Sequence, residues 1–495
     1  MPRRLRILFM APEVEPFAKT GGLADVAGAL PAALAGLGHD VRILMPKYRG
    51  VETRAGDVRV VVPRLGVRLG DHDAEGALFE GRTATDVPVY FLANDHYYGR
   101  EHLYGTGDGD YWDNCERFIF FCRGGLEGVL QLREPGGQPW RPQLIHCNDW
   151  QTALVPVYLR TVYRDDPTLG RLSTLFTIHN LAYQGVFWHY DVPMTGLGWD
   201  LFTPAGIEFY GKLNFLKGGL VFSDLLTTVS RTYAREIRTA AFGAGLEGAL
   251  EERSQDLHGV INGIDYALWN PGKDPDIAKT YSAEDPGGKA VCAEALRAEL
   301  GLDAGPEPLI GMVTRLVEQK GLDLVVEALP GILAAGCRLV LLGSGDATLE
   351  AAFTAAARQH PGQVAVRIGY EAGLARRIYA GADCFLMPSR YEPCGLGQLI
   401  ALRYGTAPVV RRTGGLADTV TEFDPARRSG TGFMFDAFAV EALLDAVRRA
   451  ASAYRQPALW RALVRNAMAE DFSWEASARE YITLYGKALK ARSAP

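Results

Sequence analysis

The chain has 495 residues, 48% of them hydrophobic and 22% charged, with a net charge of -6. That length is too great for a single hydrophobic core and predicts two domains of an ordinary soluble globular protein. Basic residues cluster no further than short pairs such as Arg427-Arg428, which argues against nucleic acid as a partner, because that binding rests on concentrated positive charge.

The start, Pro2 to Ala11, superficially resembles a signal peptide, and its short apolar core runs directly into Pro12-Glu13-Val14-Glu15-Pro16. That stretch is too short for a secretory core and reads as a buried strand followed by its loop. No apolar run approaches membrane-spanning length, so no membrane partner is expected. The seven cysteines are odd in number and scattered without metal-type spacing, which predicts reduced thiols and a cytoplasmic location. Nothing in the sequence sets the oligomeric state.

Ile7 to Met10, a helix from Leu23 to Leu37 and Val41 to Met45 form a βαβ unit that opens a Rossmann-like domain. Val51 to Tyr104 loosens into short, glycine-rich alternating segments and reads as an excursion from the sheet. Asp113 to Leu130 is helical, and Leu144 to Cys147, Thr174 to Ile178 and Leu225 to Val229 are further buried strands. Residues Asp265 to Gly288, rich in Pro, Gly and charge, read as a domain connection. Strands at Leu309 to Val313, Arg338 to Leu342, Val364 to Ile368, Cys384 to Met387 and Pro408 to Val410 then predict a second parallel sheet. An amphipathic helix from Ser473 to Ala491 ends the chain. The domain expectation is 1–262, 263–472 and a terminal helix at 473–495.

Thr-Gly-Gly-Leu-Ala-Asp occurs twice, at Thr20–Asp25 after Lys19 and at Thr413–Asp418 after Arg412. A glycine pair between strand and helix exposes the first helical amides, which bind anions; the plainer alternative is a tight turn. Four other stretches hold dense polar residues at predicted strand ends, where open α/β sheets place ligands. They are His146 to Trp150, Thr177 to Gly185, Thr314 to Gly321 and Ser389 to Gln398.

With Asn214 to Gly219, Asn262 to Asp265 and Arg411 to Val420, this ordered series resembles the motifs of bacterial glycogen synthases and plant starch synthases across nearly the whole chain. The resemblance implies an α/β fold of two Rossmann-like domains facing a deep cleft, the GT-B architecture, with the terminal helix crossing back to the first domain. It implies transfer of glucose from ADP-glucose to the non-reducing 4-hydroxyl of an α-1,4-glucan (glycogen), with retention and without a metal or other cofactor.

The resemblance also assigns roles. Arg315 and Lys320 would hold the donor diphosphate, one as a planar fork and one as a point charge. Glu392 would hold glucose hydroxyls, with backbone amides from Cys394, Gly395 and Leu396. Gly414, Gly415 and Leu416 would add helix N-terminal amides to the phosphates, with Thr413 beside them on the donor, and Lys19 with Gly22 would approach the donor from the first domain. His179 would position the donor sugar, and Asp149 and Asn262 match family positions. Asp25 reads equally well as a first-turn acid facing the helix dipole. Tyr98 and Trp150 are expected to stack on acceptor sugar and Tyr370 on adenine. The chain departs from many related two-domain transferases at Ile400, where a ribose-binding acid is usual.

Asp71-His72-Asp73 and Asp108-Gly109-Asp110 match the two-aspartate pattern of metal-dependent sugar transferases, but neither follows an apolar strand, so both read as turns. Two alternatives remain: a non-catalytic glucan-binding scaffold, and a transferase of the same architecture with another donor such as UDP-glucose.

Overall fold

The computed structural model describes residues 4–107 and 109–493. Two compact units emerge. The first takes the chain up to Val229, Ala234–Val260 and the helix from Trp474 onward; the second takes Ser230–Tyr233 and Ile261–Ser473.

In the first unit the strands are β1 (Arg6–Met10), β2 (Asp40–Pro46), β3 (Arg59–Leu69), β4 (His72–Arg82), β5 (Pro88–Ala93), β6 (Gly105–Thr106), β7 (Gly109–Asp110), β8 (Leu144–Asn148), β9 (Ser173–Ile178), β10 (Val186–Trp188), β11 (Glu208–Phe209), β12 (Lys212–Asn214), β13 (Leu225–Thr228) and β14 (Leu257–Gly259). The main sheet runs β14-β13-β9-β8-β1-β2-β5-β4-β3. Its centre is parallel, and β8, β9 and β13 are buried along their length and carry no Asp, Glu, Lys or Arg.

The segment expected to leave the sheet instead extends it: β3 and β4 are 11-residue antiparallel strands, and β4 pairs with β5. Only one face of this extension is covered, so its burial alternates and the apolar signal is diluted. The helix Asn114–Gln131 lies so close to the sheet that a Cβ on Gly125 would meet Met10 at 2.6 Å. The terminal helix Trp474–Ser493 packs on the helix Gly22–Gly36 and on β9 and β13. Within it, the Tyr485 hydroxyl lies 2.9 Å from His146 Nδ1.

The second unit carries β15 (Leu309–Val313), β16 (Arg338–Gly343), β17 (Val364–Ile368), β18 (Cys384–Met387), β19 (Ala407–Arg411) and β20 (Phe433–Phe435), all parallel, in the order β17-β16-β15-β18-β19-β20. At three residues, β20 is too short to show a period. Ile310, Met312, Leu339, Leu341, Leu386 and Val409 form the core beneath the sheet's helices.

The expected connection at Asp265 to Gly288 is not a bare tether. Ile277 and Tyr281 are buried there against Tyr379, Phe385 and Tyr404. Ser230–Tyr233, which the sequence reading keeps in the first domain, belongs to the second unit: Ser230 Oγ donates to Pro393 O at 2.6 Å, and the Thr232 amide and hydroxyl donate to the Asp418 carboxylate at 2.7 and 2.6 Å.

Candidate functional site

Each sheet reverses its strand order at one place, and at such a switch point the loops leaving the carboxyl ends diverge and open a crevice. In the second unit this happens between β15 and β18. A pocket of about 250 Å³ opens there, lined by Arg315, Lys320, Ser389, Glu392, Gly395 and Leu396 among others. Lys320 Nζ donates to both oxygens of the buried Glu392 carboxylate, at 2.9 and 2.7 Å, and Ser389 Oγ donates to it at 2.9 Å. Arg315 stands exposed on the wall. Gly321, with φ +66°, lets the loop after β15 touch the loop after β18; a Cβ there would lie 2.3 Å from Pro388 O.

The second glycine pair does something other than expected. A Cβ on Gly414 would sit 1.9 Å from Glu392 O and one on Gly415 2.0 Å from Cys394 O, and the Gly415 amide donates to Glu392 O at 3.0 Å. The Leu416 amide is likewise used within its turn, on Thr413 O, and Thr413 is buried. The pair is therefore a packing surface that seats the Glu392 loop, and the amides of Gly415 and Leu416 are not free for phosphate. Gln398 fastens the same loop by donating to Cys394 O and Gly395 O, both at 3.0 Å.

Burial pushes the Cys394 thiol up to about 12, so only its backbone is chemically useful. Asn262 is buried, and among the described residues its Oδ1 has no hydrogen-bond donor. Tyr370 is 80% exposed just after β17, with its ring free.

In the first unit the switch point lies between β1 and β8. Glu13, just past β1, is the residue that sequence reasoning missed: one acid among prolines gives no pattern. Its buried carboxylate accepts from the Thr20 amide and hydroxyl and from the Tyr104 hydroxyl, and so braces the first glycine turn, including Gly22. On the same turn Lys19 Nζ pairs with Asp25 Oδ1 at 2.6 Å and with Glu15 Oε2 at 3.8 Å, so Asp25 is an ion-pair partner of Lys19 as well as a first-turn acid.

At the end of β8, Asn148 Nδ2 donates to Met10 O and His146 O. That fixes its Oδ1 towards His179 Nε2, 2.9 Å away, and places the imidazole proton on Nε2. Asp149 sits at φ 55°, ψ −179°, a conformation that strains any residue with a Cβ. Its Oδ1 accepts from the His179 amide at 2.7 Å. Asp149 and His179 are thus held as one unit.

Burial lowers the His179 imidazole to about 3 and raises the Asp149 carboxyl to about 7 despite the amides that favour its charge. The two act oppositely on stability. The depressed His179 value gives stability that is fully present above the ordinary histidine pKa and is lost as pH falls towards 3, at about 1.4 kcal/mol per pH unit. The raised Asp149 value gives stability that is full below the ordinary carboxylate range and is lost as pH rises to about 7. Denaturant midpoints should therefore show His179→Asn losing less stability than the parent on acidification from pH 6.5 to 5. Asp149→Asn should gain on the parent as pH rises from 5 to 7. Parallel curves for parent and variants would mean that both groups are solvated.

Two acceptor assignments are corrected. Tyr98 is fully buried, its hydroxyl donating to Arg117 O at 2.8 Å and its ring packed by Tyr48, so it offers no face to a sugar. Trp150 is nested among Phe118, Phe187 and Phe215, and a Cβ on Gly185 would meet its ring at 2.3 Å, so its faces are used in packing. His146 is buried between Thr177 and the terminal helix rather than in a crevice. Asp71 lies in the two-residue β3–β4 turn, and His72 and Asp73 begin β4, with His72 3.2 Å from Glu116. Asp108 of the other two-aspartate stretch lies outside the described residues.

Comparison with known proteins assigns residues 6–252 to the starch synthase catalytic domain and 294–467 to glycosyl transferases group 1. A glycogen synthase of Syntrophotalea carbinolica is 50% identical over 493 residues, 99% of this chain and 100% of that protein. One from Anaeromyxobacter sp. (strain Fw109-5) is 51% identical over 483 residues, 97% of this chain and 99% of that protein. Among solved structures, the catalytic domain of starch synthase IV from Arabidopsis thaliana, bound to ADP and acarbose, matches with TM-score 0.87 and 34% identity, covering 98% of this chain and all of that one. Sucrose-phosphate synthase from Thermosynechococcus elongatus matches at TM-score 0.59 and 19% identity over 99% of this chain and all of its own, a likeness of fold.

Proposed function

Since the chain belongs to the glycogen and starch synthase family of GT-B glycosyltransferases, we propose that it transfers glucose from ADP-glucose to the non-reducing 4-hydroxyl of an α-1,4-glucan with retention of configuration. The observation that carries this reading is the Lys320–Glu392 pair beside Arg315 in the pocket of the second unit. Leaving of a diphosphate develops negative charge on its oxygens and positive charge at the anomeric carbon, and a site that answers both needs fixed cations next to an acid. Arg315 and Lys320 take the diphosphate, Glu392 accepts from glucose hydroxyls, and the Asn262 carbonyl and Tyr370 ring contact the remainder of the donor.

In the reaction, the bond from the anomeric carbon to the diphosphate oxygen breaks while the acceptor 4-oxygen bonds to that carbon from the same face. The acceptor proton passes to the departing diphosphate. His179, with a pKa near 3, is too weak a base for that proton, so its part is to orient the sugar. Lys19 adds a cation from the braced glycine turn. Among the described residues no helix is long and apolar enough to cross a membrane. All seven cysteines are buried thiols, which supports a cytoplasmic location.

The test incubates purified protein with glycogen and either ADP-glucose or UDP-glucose, following nucleotide release and chain growth. Growth should require ADP-glucose and persist in EDTA, because the cations of the site are side chains. Growth with UDP-glucose alone would replace the donor, no growth with either would end the reading, and loss in EDTA restored by magnesium would end the metal-free part of it.

A further inference from the structure

The first unit carries a cluster of uncovered aromatic rings that the transfer chemistry does not use. It begins directly after the His179 to Gly185 stretch, on the small antiparallel sheet β10-β12-β11 and its connections. Trp188 is 68% exposed, Tyr190 75%, Trp199 54% and Tyr210 79%. Trp188 and Tyr190 present nearly parallel faces, 17° apart with centroids 6.5 Å apart. His189 and Phe202 continue the ring contacts to Trp199.

The backbone holds one of these rings out at a cost. Phe209 pairs with Lys212, so Tyr210-Gly211 is a two-residue hairpin turn, and both residues have positive φ, 49° and 76°. That turn favours Asn-Gly, and a residue with a bulky side chain is sterically disfavoured at its first position. Strain kept at a position that projects an aromatic ring into solvent points to use of the ring.

We infer that this surface holds a stretch of the α-1,4-glucan acceptor, stacking its rings on successive glucosyl residues; the inference rests on the proposed transferase reading. Flat aromatic faces match the C–H faces of pyranose rings while the phenol and indole edges keep polar contacts. The charged residues from 183 to 212 are Asp191, Asp200, Glu208 and Lys212, an acidic balance that disfavours anionic lipid or nucleic acid and suits a neutral polyol. β12 also leads directly into the Asn214–Gly219 segment, one of the motifs that carry the family resemblance. A polymer held here and at the reacting end gains effective concentration that a short oligosaccharide cannot gain.

The experiment compares KM for glycogen and for maltotetraose, together with retardation in native gels containing glycogen. In Trp188→Ala/Tyr190→Ala, KM for glycogen should rise about ten-fold or more, with KM for maltotetraose and kcat within two-fold, and retardation should be lost. Tyr210→Asn relieves the turn, so it should raise the melting temperature by about 1–3 °C while raising glycogen KM about two- to ten-fold. Unchanged glycogen KM and retardation in both variants would overturn the inference, as would an equal rise for both acceptors. So would a change of mass by light scattering with glycogen binding intact, which would make the surface a contact between copies. Retardation is read without turnover, so a parent that binds glycogen but transfers nothing would sink the transferase reading and leave this one standing.

Discussion

Lys320→Ala is expected to lower turnover by about two to three orders of magnitude, the scale of losing one electrostatic contact made to a developing charge. The geometry adds a second effect. With Lys320 gone, the buried Glu392 carboxylate keeps, among the described residues, only the Ser389 hydroxyl as a side-chain donor, and an unpaired buried charge destabilises by about 3–5 kcal/mol. Loss of activity through chemistry and loss through unfolding must therefore be separated. Lys320→Met/Glu392→Gln removes both charges together and should recover most of the melting temperature while turnover stays low. Lys320→Arg should keep the fold, since a guanidinium fork can still donate to both Glu392 oxygens, and restore little turnover, since it cannot place the compact charge of an ammonium on the diphosphate. Single-turnover rates and thermal melts decide the matter: near-normal turnover in Lys320→Ala would remove Lys320 from the site, and recovered turnover in the double variant would make the pair structural.

The two glycine pairs give the second large contrast. In Gly415→Ala the new methyl group would meet Cys394 O at 2.0 Å and Cys394 Cα at 2.5 Å, both backbone atoms that cannot swing aside. The Glu392 loop must move, and overpacking of this kind costs about 1–3 kcal/mol. Displacing that loop by even 1 Å should lower kcat about 100-fold, because the acid and its lysine are set by it. Gly21 has no atom within 4 Å of where its Cβ would be, and its φ of −155° is open to any residue. Gly21→Ala should therefore stay within a few-fold of the parent. Kinetics of the two variants side by side give the answer; equal losses would mean that the pairs share one role.

What could be read from the residues alone follows from how each signal arises. Strands buried on both faces announce themselves as short segments of apolar and small uncharged residues, so β1, β8, β9, β13 and the strands of the second sheet up to β19 were all legible. The antiparallel extension was not, because β3 and β4 are apolar on one face only and broken by glycines. The polar residues at the two switch points were legible as dense strand-end motifs, and the family resemblance supplied their ligand. Burial was not legible at single positions. Tyr98 and Trp150 have the right ring chemistry and the wrong surroundings, Glu13 has the right surroundings and no pattern, and the repeated hexapeptide hides a braced turn in one copy and a packing surface in the other.

The terminal helix gives the chain an order of completion. Its tyrosines cover His146 and its body lies along the helix Gly22–Gly36 and the strands β9 and β13, yet residues 261–473 of the second unit are made before it. On the ribosome the unit begun first is finished last. Part of one face of its sheet, at β9 and β13, waits uncovered until that helix is made, whereas the second unit leaves the exit tunnel with nearly all its own parts.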